Sequence, residues 1–188
     1  MATHKQPLSL KGRALALLAQ REHSEVELRR KLLRHARAEV AAPAGPAAGT
    51  AADDAAAVED DTARVDAAAR VDAVVDWLRA HNYLSEQRFV ESRLHARAAR
   101  YGNLRIRQEL AQHGLSVPPD AAQALKDSEA ERAAAVWERK FGRPAADAAG
   151  RARQARFLAQ RGFSPEVISR VLRQAGRTFA DPSDPESD

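Results

Sequence analysis

Arginine recurs in register along this chain. Its planar guanidinium fork is the side chain best shaped to pair with phosphate or carboxylate. The register is set by a short phrase that appears three times: Leu32-Leu33-Arg34-His35-Ala36, Leu110-Ala111-Gln112-His113-Gly114 and Leu158-Ala159-Gln160-Arg161-Gly162. Each copy reads Leu, two residues, a basic residue, then a small one. Aligned on the phrase, Arg29 matches Arg107 and Arg30 matches Arg156, with Arg34, Arg105, Arg151, Arg153 and Arg161 nearby. These nine arginines are the candidate partner- and DNA-binding residues. Arg outnumbers Lys 25 to 5. An Ala- and Arg-rich genome accounts for that ratio, but it does not account for recurrence in register.

Other chemistries lack their residues. Cysteine is absent, which removes disulfides, thiolate metal sites and Cys nucleophiles. No two of His4, His23, His35, His81, His95 and His113 stand at the i, i+4 spacing of a helical zinc site. His35 and His113 hold equivalent places in the phrase, and a cation near a helix C-terminus is favoured by the helix dipole. The nine glycines form no phosphate-cradling loop and fall where helices should end. Glu59-Asp60-Asp61 lies in low-complexity sequence that cannot hold carboxylates at fixed geometry. Neither an enzyme nor a cofactor or metal protein is expected.

Such a phrase needs helices to carry it. The chain has 42 alanines and 9 aromatic residues, so an all-α fold with a thin core is predicted. The last two copies of the phrase stand 48 residues apart, and an insertion of about 25 to 30 residues lengthens the first interval. A recurrence of that size predicts three tandem three-helix repeats stacked into an elongated, curved solenoid. The repeats fall at 1–84, 85–127 and 128–177. An Ala/Pro/Asp-rich insertion occupies about 38–61, and 178–188 is a disordered tail.

Within that frame, Leu10, Leu15 and Leu18 give the first helix its stripe, and Ser24 with Glu27 forms a capping box for the second. A third helix starts near Thr62, and Asn82-Tyr83-Leu84 ends it and plugs the following repeat. Leu104, Ile106 and Leu110 are the apolar set of the fifth helix. Ser128 and Glu131 form a second capping box, and Ser164-Pro165-Glu166 opens the last helix. The aromatic residues are read as core; Tyr101, flanked by Arg100 and Arg105, comes nearest to an exception.

The formal net charge of +4 hides a segregated pattern. Residues 1–37 carry +6, 38–76 carry −7, 77–117 carry +4 and 139–177 carry +8. Basic repeats around an acidic insertion predict a polyanionic partner. The absence of an 18-residue apolar run or a signal-peptide segment predicts a soluble, cytoplasmic protein without a membrane partner.

Four stretches resemble the RecX family of bacterial recombinase regulators: Arg13-Ala14-Leu15 through Glu27-Leu28-Arg29-Arg30-Lys31-Leu32; Trp77-Leu78 to Asn82-Tyr83-Leu84-Ser85 with Arg88-Phe89-Val90 and Ser92; Gly102, Arg105-Ile106, Glu109-Leu110 and His113-Gly114; and Arg156-Phe157-Leu158 to Arg161-Gly162-Phe163-Ser164 with Ile168. The Ala/Pro/Asp insertion departs from the family's usual short connection. The resemblance implies a non-enzymatic, negative modulator of the RecA recombinase in DNA repair and the SOS response. Such a protein lies as a monomer in the groove of the RecA–single-stranded DNA filament, with weak, salt-sensitive contact to the DNA. It limits filament growth, ATP hydrolysis and strand exchange. The residues alone leave two alternatives open: a general DNA-binding helical module, or a scaffold repeat protein with an acidic protein partner.

Overall fold

The computed structural model describes residues 8–41 and 53–180. Among them are nine α-helices and no strand, as the Ala- and Leu-rich sequence predicts. The chain divides into two compact units, Met1–Phe89 and Val90–Asp188, with the boundary inside the fourth helix.

The first unit holds α1 (Leu10–Leu18), α2 (Glu25–Ala41), α3 (Asp53–Ala80) and the start of α4 (Glu86–Ala98). Its core is made by Leu10 and Ala14 of α1, Leu28, Leu32 and Ala36 of α2, and Ala67, Val71, Val75 and Leu78 of α3. These positions recur at three- and four-residue steps, the spacing of one helix face. Ala14, Ala36 and Ala67 are fully buried. Ala14 accompanies Leu10 inside, and the half-buried Leu15 and Leu18 pack against the same core. Leu84, expected to plug the following repeat, belongs to this same core. The turn before it places Asn82 at φ 57°, a left-handed conformation that Asn tolerates better than most residues.

Two expectations about the inserted segment change. α2 continues to Ala41 and α3 begins at Asp53, so both ends of the expected loop are helical. Asp53-Asp54 is followed by alanines and by no Pro or Gly before Ala80, a sequence of good helix propensity. Residues 42–52, which hold Pro43, Gly45, Pro46 and Gly49, lie outside the described residues. Because α2 runs on, Ala36 and His35 sit within a helix and not at its end.

A buried ionic group fixes the α1–α2 turn. The Glu27 backbone N–H donates to Ser24 Oγ at 3.1 Å, as the capping box predicts. The Glu27 carboxylate accepts from Arg21, lies 3.2 Å from Lys31 Nζ and has His23 Nδ1 3.2 Å away. Burial would raise the Glu27 carboxyl, but hydrogen bonds from Arg21, Lys31 and His23 outweigh it and hold its pKa at about 2. Burial lowers His23 below the ordinary imidazole value, only partly opposed by Glu27. Arg88 binds the same turn to the start of α4, donating to Glu22 Oε1, Asn82 O and Tyr83 O at 2.9 to 3.0 Å.

The second unit holds the rest of α4, then α5 (Asn103–Ala111), α6 (Pro119–Asp127), α7 (Glu129–Lys140), α8 (Ala148–Gln160) and α9 (Pro165–Ala180). α7, α8 and α9 share a core of Val136, Trp137, Leu158, Phe163, Val167, Ile168 and Val171. Trp137 Nε1 donates to Gln154 Oε1 at 3.1 Å, and Gln154 Nε2 donates to Arg143 O at 2.9 Å. In α5, Ile106 and Leu110 are buried, but Leu104 is 53% exposed and leaves the expected apolar set. α9 continues through Ala180, past the expected start of the tail at Thr178, and residues 181–188 lie outside the described residues.

The expected capping box at Ser128 does not form. Ser128 is itself helical (φ −87°, ψ −4°), its hydroxyl donates to Ala124 O, and Glu129 is drawn into the interior. Glu129 Oε1 accepts from the Asn103 backbone N–H at 3.0 Å, and Ser164 Oγ donates to Oε2 at 3.4 Å. One turn along α7, Arg132 donates to Ala98 O, Tyr101 O, Asn103 Oδ1 and Leu125 O at 2.7 to 3.0 Å. The α4–α5 turn is thereby tied to α6 and α7.

A glycine contact completes the docking. The N–H groups of Gly102 and Leu104 donate to Arg161 O and Gly162 O, at 2.9 and 3.0 Å. A Cβ on Gly102 would stand 2.2 Å from Gly162 O, and one on Gly162 would stand 2.5 Å from Arg105 N. Gly162 also has φ +81°, a conformation that L side chains rarely adopt.

Two predictions follow from these contacts. Gly114, at φ +73°, has nothing near its missing Cβ. Gly114→Ala therefore costs only left-handed strain, about 1 kcal/mol. Gly162→Ala adds backbone collision and lowers the urea midpoint clearly further. In the first unit, Glu27 and His23 both bind protons more weakly when folded, so stability rises with pH across their windows. The unfolded chain takes up protons first below 6.5 at His23 and then below 4.5 at Glu27. Urea unfolding at pH 7, 5 and 3 detects two successive losses. Glu27→Gln removes the lower one and costs about 3 kcal/mol at pH 7.

Candidate functional site

Packing inside each repeat decides which way the arginines face. The phrase leucines Leu32, Leu110 and Leu158 are buried, as are Leu28, Ile106 and Gln154 one turn earlier. Residues two and three places before the phrase therefore lie away from the core. Arg29, Arg30, Arg107 and Arg156 are all exposed. Arg34, Arg105, Arg151 and Arg153 are exposed as well, and Arg161 is half-buried.

Their surroundings differ. Arg29 Nη2 stands 2.6 and 2.7 Å from the two carboxylate oxygens of Asp72 on α3, so its charge is already matched. Arg30 and Arg34 make no ion pair among the described residues. In the second unit, Glu109 is taken by Arg93 and Arg97, at 3.4 and 3.0 Å. That leaves Arg105 and Arg107 without an acid on their own helix. α8 carries no acid along its length, so Arg151, Arg153 and Arg156 stand unopposed on it.

The structure does not gather the second unit's arginines in one place. Arg105 and Arg107 are two residues apart on a helix, about 200° around its axis. Arg107 lines a mixed-charge cavity with Lys126, Asp127, Glu129, Glu166 and Arg170. The Arg105 guanidinium lies 5.1 Å from the centroid of the Tyr101 ring, and that of Arg161 lies 4.4 Å from the centroid of Phe157. Arg105 and Gly162 are brought into direct apposition by the glycine contact.

Sequence reasoning missed Arg139 and Lys140 as site residues. They line one cavity with Arg100, Tyr101, Phe157 and Arg161. The available signal was their place in the last turn of a helix, where cations are favoured, four residues or fewer from a predicted helix-ending glycine. It also missed that Tyr83 is 48% exposed and stacks on Trp77, with ring centroids 5.5 Å apart. Lys11 Nζ stands 3.2 Å from the centroid of a Trp77 ring. Among the described residues, no group of His, Cys, Asp and Glu is arranged to hold a metal. No described helix is long and apolar enough to cross a membrane.

Chemically, the arrangement offers exposed guanidinium groups and two arginine-covered rings. It can grip polyanions by many weak charge contacts.

Comparison with known proteins places this arrangement. Residues 85–125 match the second three-helix domain of RecX, and residues 127–172 match the third. The "Regulatory protein RecX" of Ralstonia nicotianae is 43% identical over 187 residues, covering 98% of this chain and 99% of the relative. That of Leptothrix cholodnii is 45% identical over 177 residues, covering 93% and 94%. That of Pseudomonas putida is 37% identical over 180 residues, covering 93% and 95%. With this identity running nearly end to end and both domain matches falling on the helices just described, the chain belongs to the RecX family of regulatory proteins.

Proposed function

We propose that the chain is a negative modulator of the RecA recombinase that binds the groove of the RecA–single-stranded DNA filament and limits filament growth, ATP hydrolysis and strand exchange. It acts as a cytoplasmic monomer, without catalysis and without a cofactor, in DNA repair and the SOS response. The observation that carries the reading is the state of the nine predicted arginines. Eight of them make no ion pair among the described residues, while acids elsewhere, such as Glu27 and Glu109, are occupied by other cations. Exposed, unmatched guanidinium groups spread over several helices suit an extended phosphate-bearing partner better than a compact ligand. Each contact is weak alone, so binding falls steeply with salt, and contact to single-stranded DNA outside the filament is weaker still.

The test is a titration of RecA ATPase and strand exchange with the wild-type chain beside Arg151→Glu/Arg156→Glu. Arg29 is a poor choice for charge reversal, because a carboxylate there would face Asp72 and disturb the first unit. Wild type is expected to inhibit at ratios below one per recombinase. The double variant should shift half-inhibition upward about tenfold and flatten the logarithmic salt dependence by about 1.5. Unchanged ATPase and strand exchange over a wide range of wild-type doses would sink the reading. Sequence-preferring duplex binding as tight as filament binding would favour a general DNA-binding module. Salt-sensitive binding to an acidic protein, without recombinase or DNA, would favour a scaffold.

A further inference from the structure

The second unit contains a cavity of about 390 Å³ to which the nine-arginine set contributes only Arg161. Arg100 comes from the end of α4, Arg139 and Lys140 from the last turn of α7, and Arg161 from the end of α8. Tyr101 and Phe157 supply ring surface, and among the described residues no carboxylate lines the cavity. Four cations around one small space repel one another. The negative ends of the α7 and α8 dipoles offset part of that repulsion, and a bound anion would offset the rest.

The rings point to more than a bare anion. The Arg161 guanidinium lies over Phe157, and Phe141 meets Phe157 edge-on with centroids 5.2 Å apart. Arg97 and Arg105 lie 5.6 and 5.1 Å from the Tyr101 centroid. Planar guanidinium groups held on rings are surfaces on which a nucleobase stacks. Arg161 Nε is buried and has no hydrogen-bond partner among the described residues, a donor that a base carbonyl or a phosphate oxygen would satisfy. The volume is at the lower end of small-ligand sites, enough for one planar group with its charge and too small for a peptide helix.

We propose that this cavity takes one nucleotide of a single strand, its phosphate on Arg100, Arg139 and Lys140 and its base against the Arg161–Phe157 stack and Tyr101. The proposal rests on the reading of the chain as a binder of the RecA–single-stranded DNA filament and names where one base of that strand goes. Binding at this place therefore has a base-dependent part in addition to the phosphate attraction of the exposed arginines.

Fluorescence anisotropy of the full chain tests it, with a labelled thymidylate strand beside an abasic strand of equal length. Wild type is expected to bind the thymidylate strand about tenfold more tightly. Arg161→Gln and Tyr101→Leu should each shrink that ratio towards one. Arg151→Gln/Arg153→Gln should weaken both strands alike and keep the ratio. Should Tyr101→Leu lower helicity by circular dichroism, Arg161→Gln, which keeps most of the stem over Phe157, decides alone. Equal wild-type affinity for the two strands, or a ratio that Arg161→Gln leaves unchanged, overturns the proposal. So does polyaspartate displacing the thymidylate strand as well as unlabelled thymidylate does, which would mark the cavity as an acidic-peptide site. Failure here is separable from failure of the function: a chain that inhibits RecA ATPase but ignores bases loses only the cavity, and a chain that reads bases but spares the ATPase loses only the modulator.

Discussion

A guanidinium taken out of water must find an oxygen for its N–H groups, because an unpaired buried donor costs more than any single contact returns. Arg132 finds them at Ala98 and Tyr101, at the end of α4, at Asn103, which opens α5, and at Leu125 in α6. Burial pulls this guanidinium below its ordinary pKa, and Glu129 on the same helix opposes that pull. Glu129 in turn receives the first N–H of α5 and the hydroxyl of Ser164 before α9. A few atoms of α7 thus fix where three turns of the second unit lie. The Gly102–Gly162 approach depends on that placement, since backbone that close tolerates no displacement of either turn.

The same residue type serves opposite ends elsewhere. Arg132, Arg21 and Arg88 donate to oxygens of their own chain and act as staples. Arg30, Arg107, Arg151, Arg153 and Arg156 keep their charge in water and remain available to a partner. The difference lies in whether folding brings oxygens within reach of each guanidinium. In the first unit, the Glu27 group repeats the principle with a carboxylate at the centre and cations around it.

Much of the fold was legible. Alanine and leucine content dictated helices, and the phrase leucines at helical spacing marked buried faces that the structure confirms at Leu32, Leu110 and Leu158. Ser24 was readable as a cap, because a hydroxyl three residues ahead of an amide is a local arrangement. Ser128 was misread for the same reason. Its sequence has the form of a cap, but Glu129 is claimed by Asn103, 26 residues earlier in the chain and invisible to a local pattern. Leu104 and Tyr83 look like core residues by type and are exposed, since the neighbours that would cover them are set by packing. The inserted segment was judged by its Pro and Gly, although its acidic end has every local reason to be helical.

The sequence by itself determined the helices, their inward faces, the recurrence of the phrase and the outward side of most of its arginines. All of these follow from propensity and a period of 3.6 residues, which act over one or two turns. Only the tertiary structure decided which charges were spent: Arg29 on Asp72, Glu109 on Arg93 and Arg97, Arg132 on the carbonyls around it. It also brought Arg100, Arg139, Lys140 and Arg161 around one cavity. The physical reason is that electrostatic pairing depends on distance in space, and residues far apart in the chain become neighbours only when helices pack.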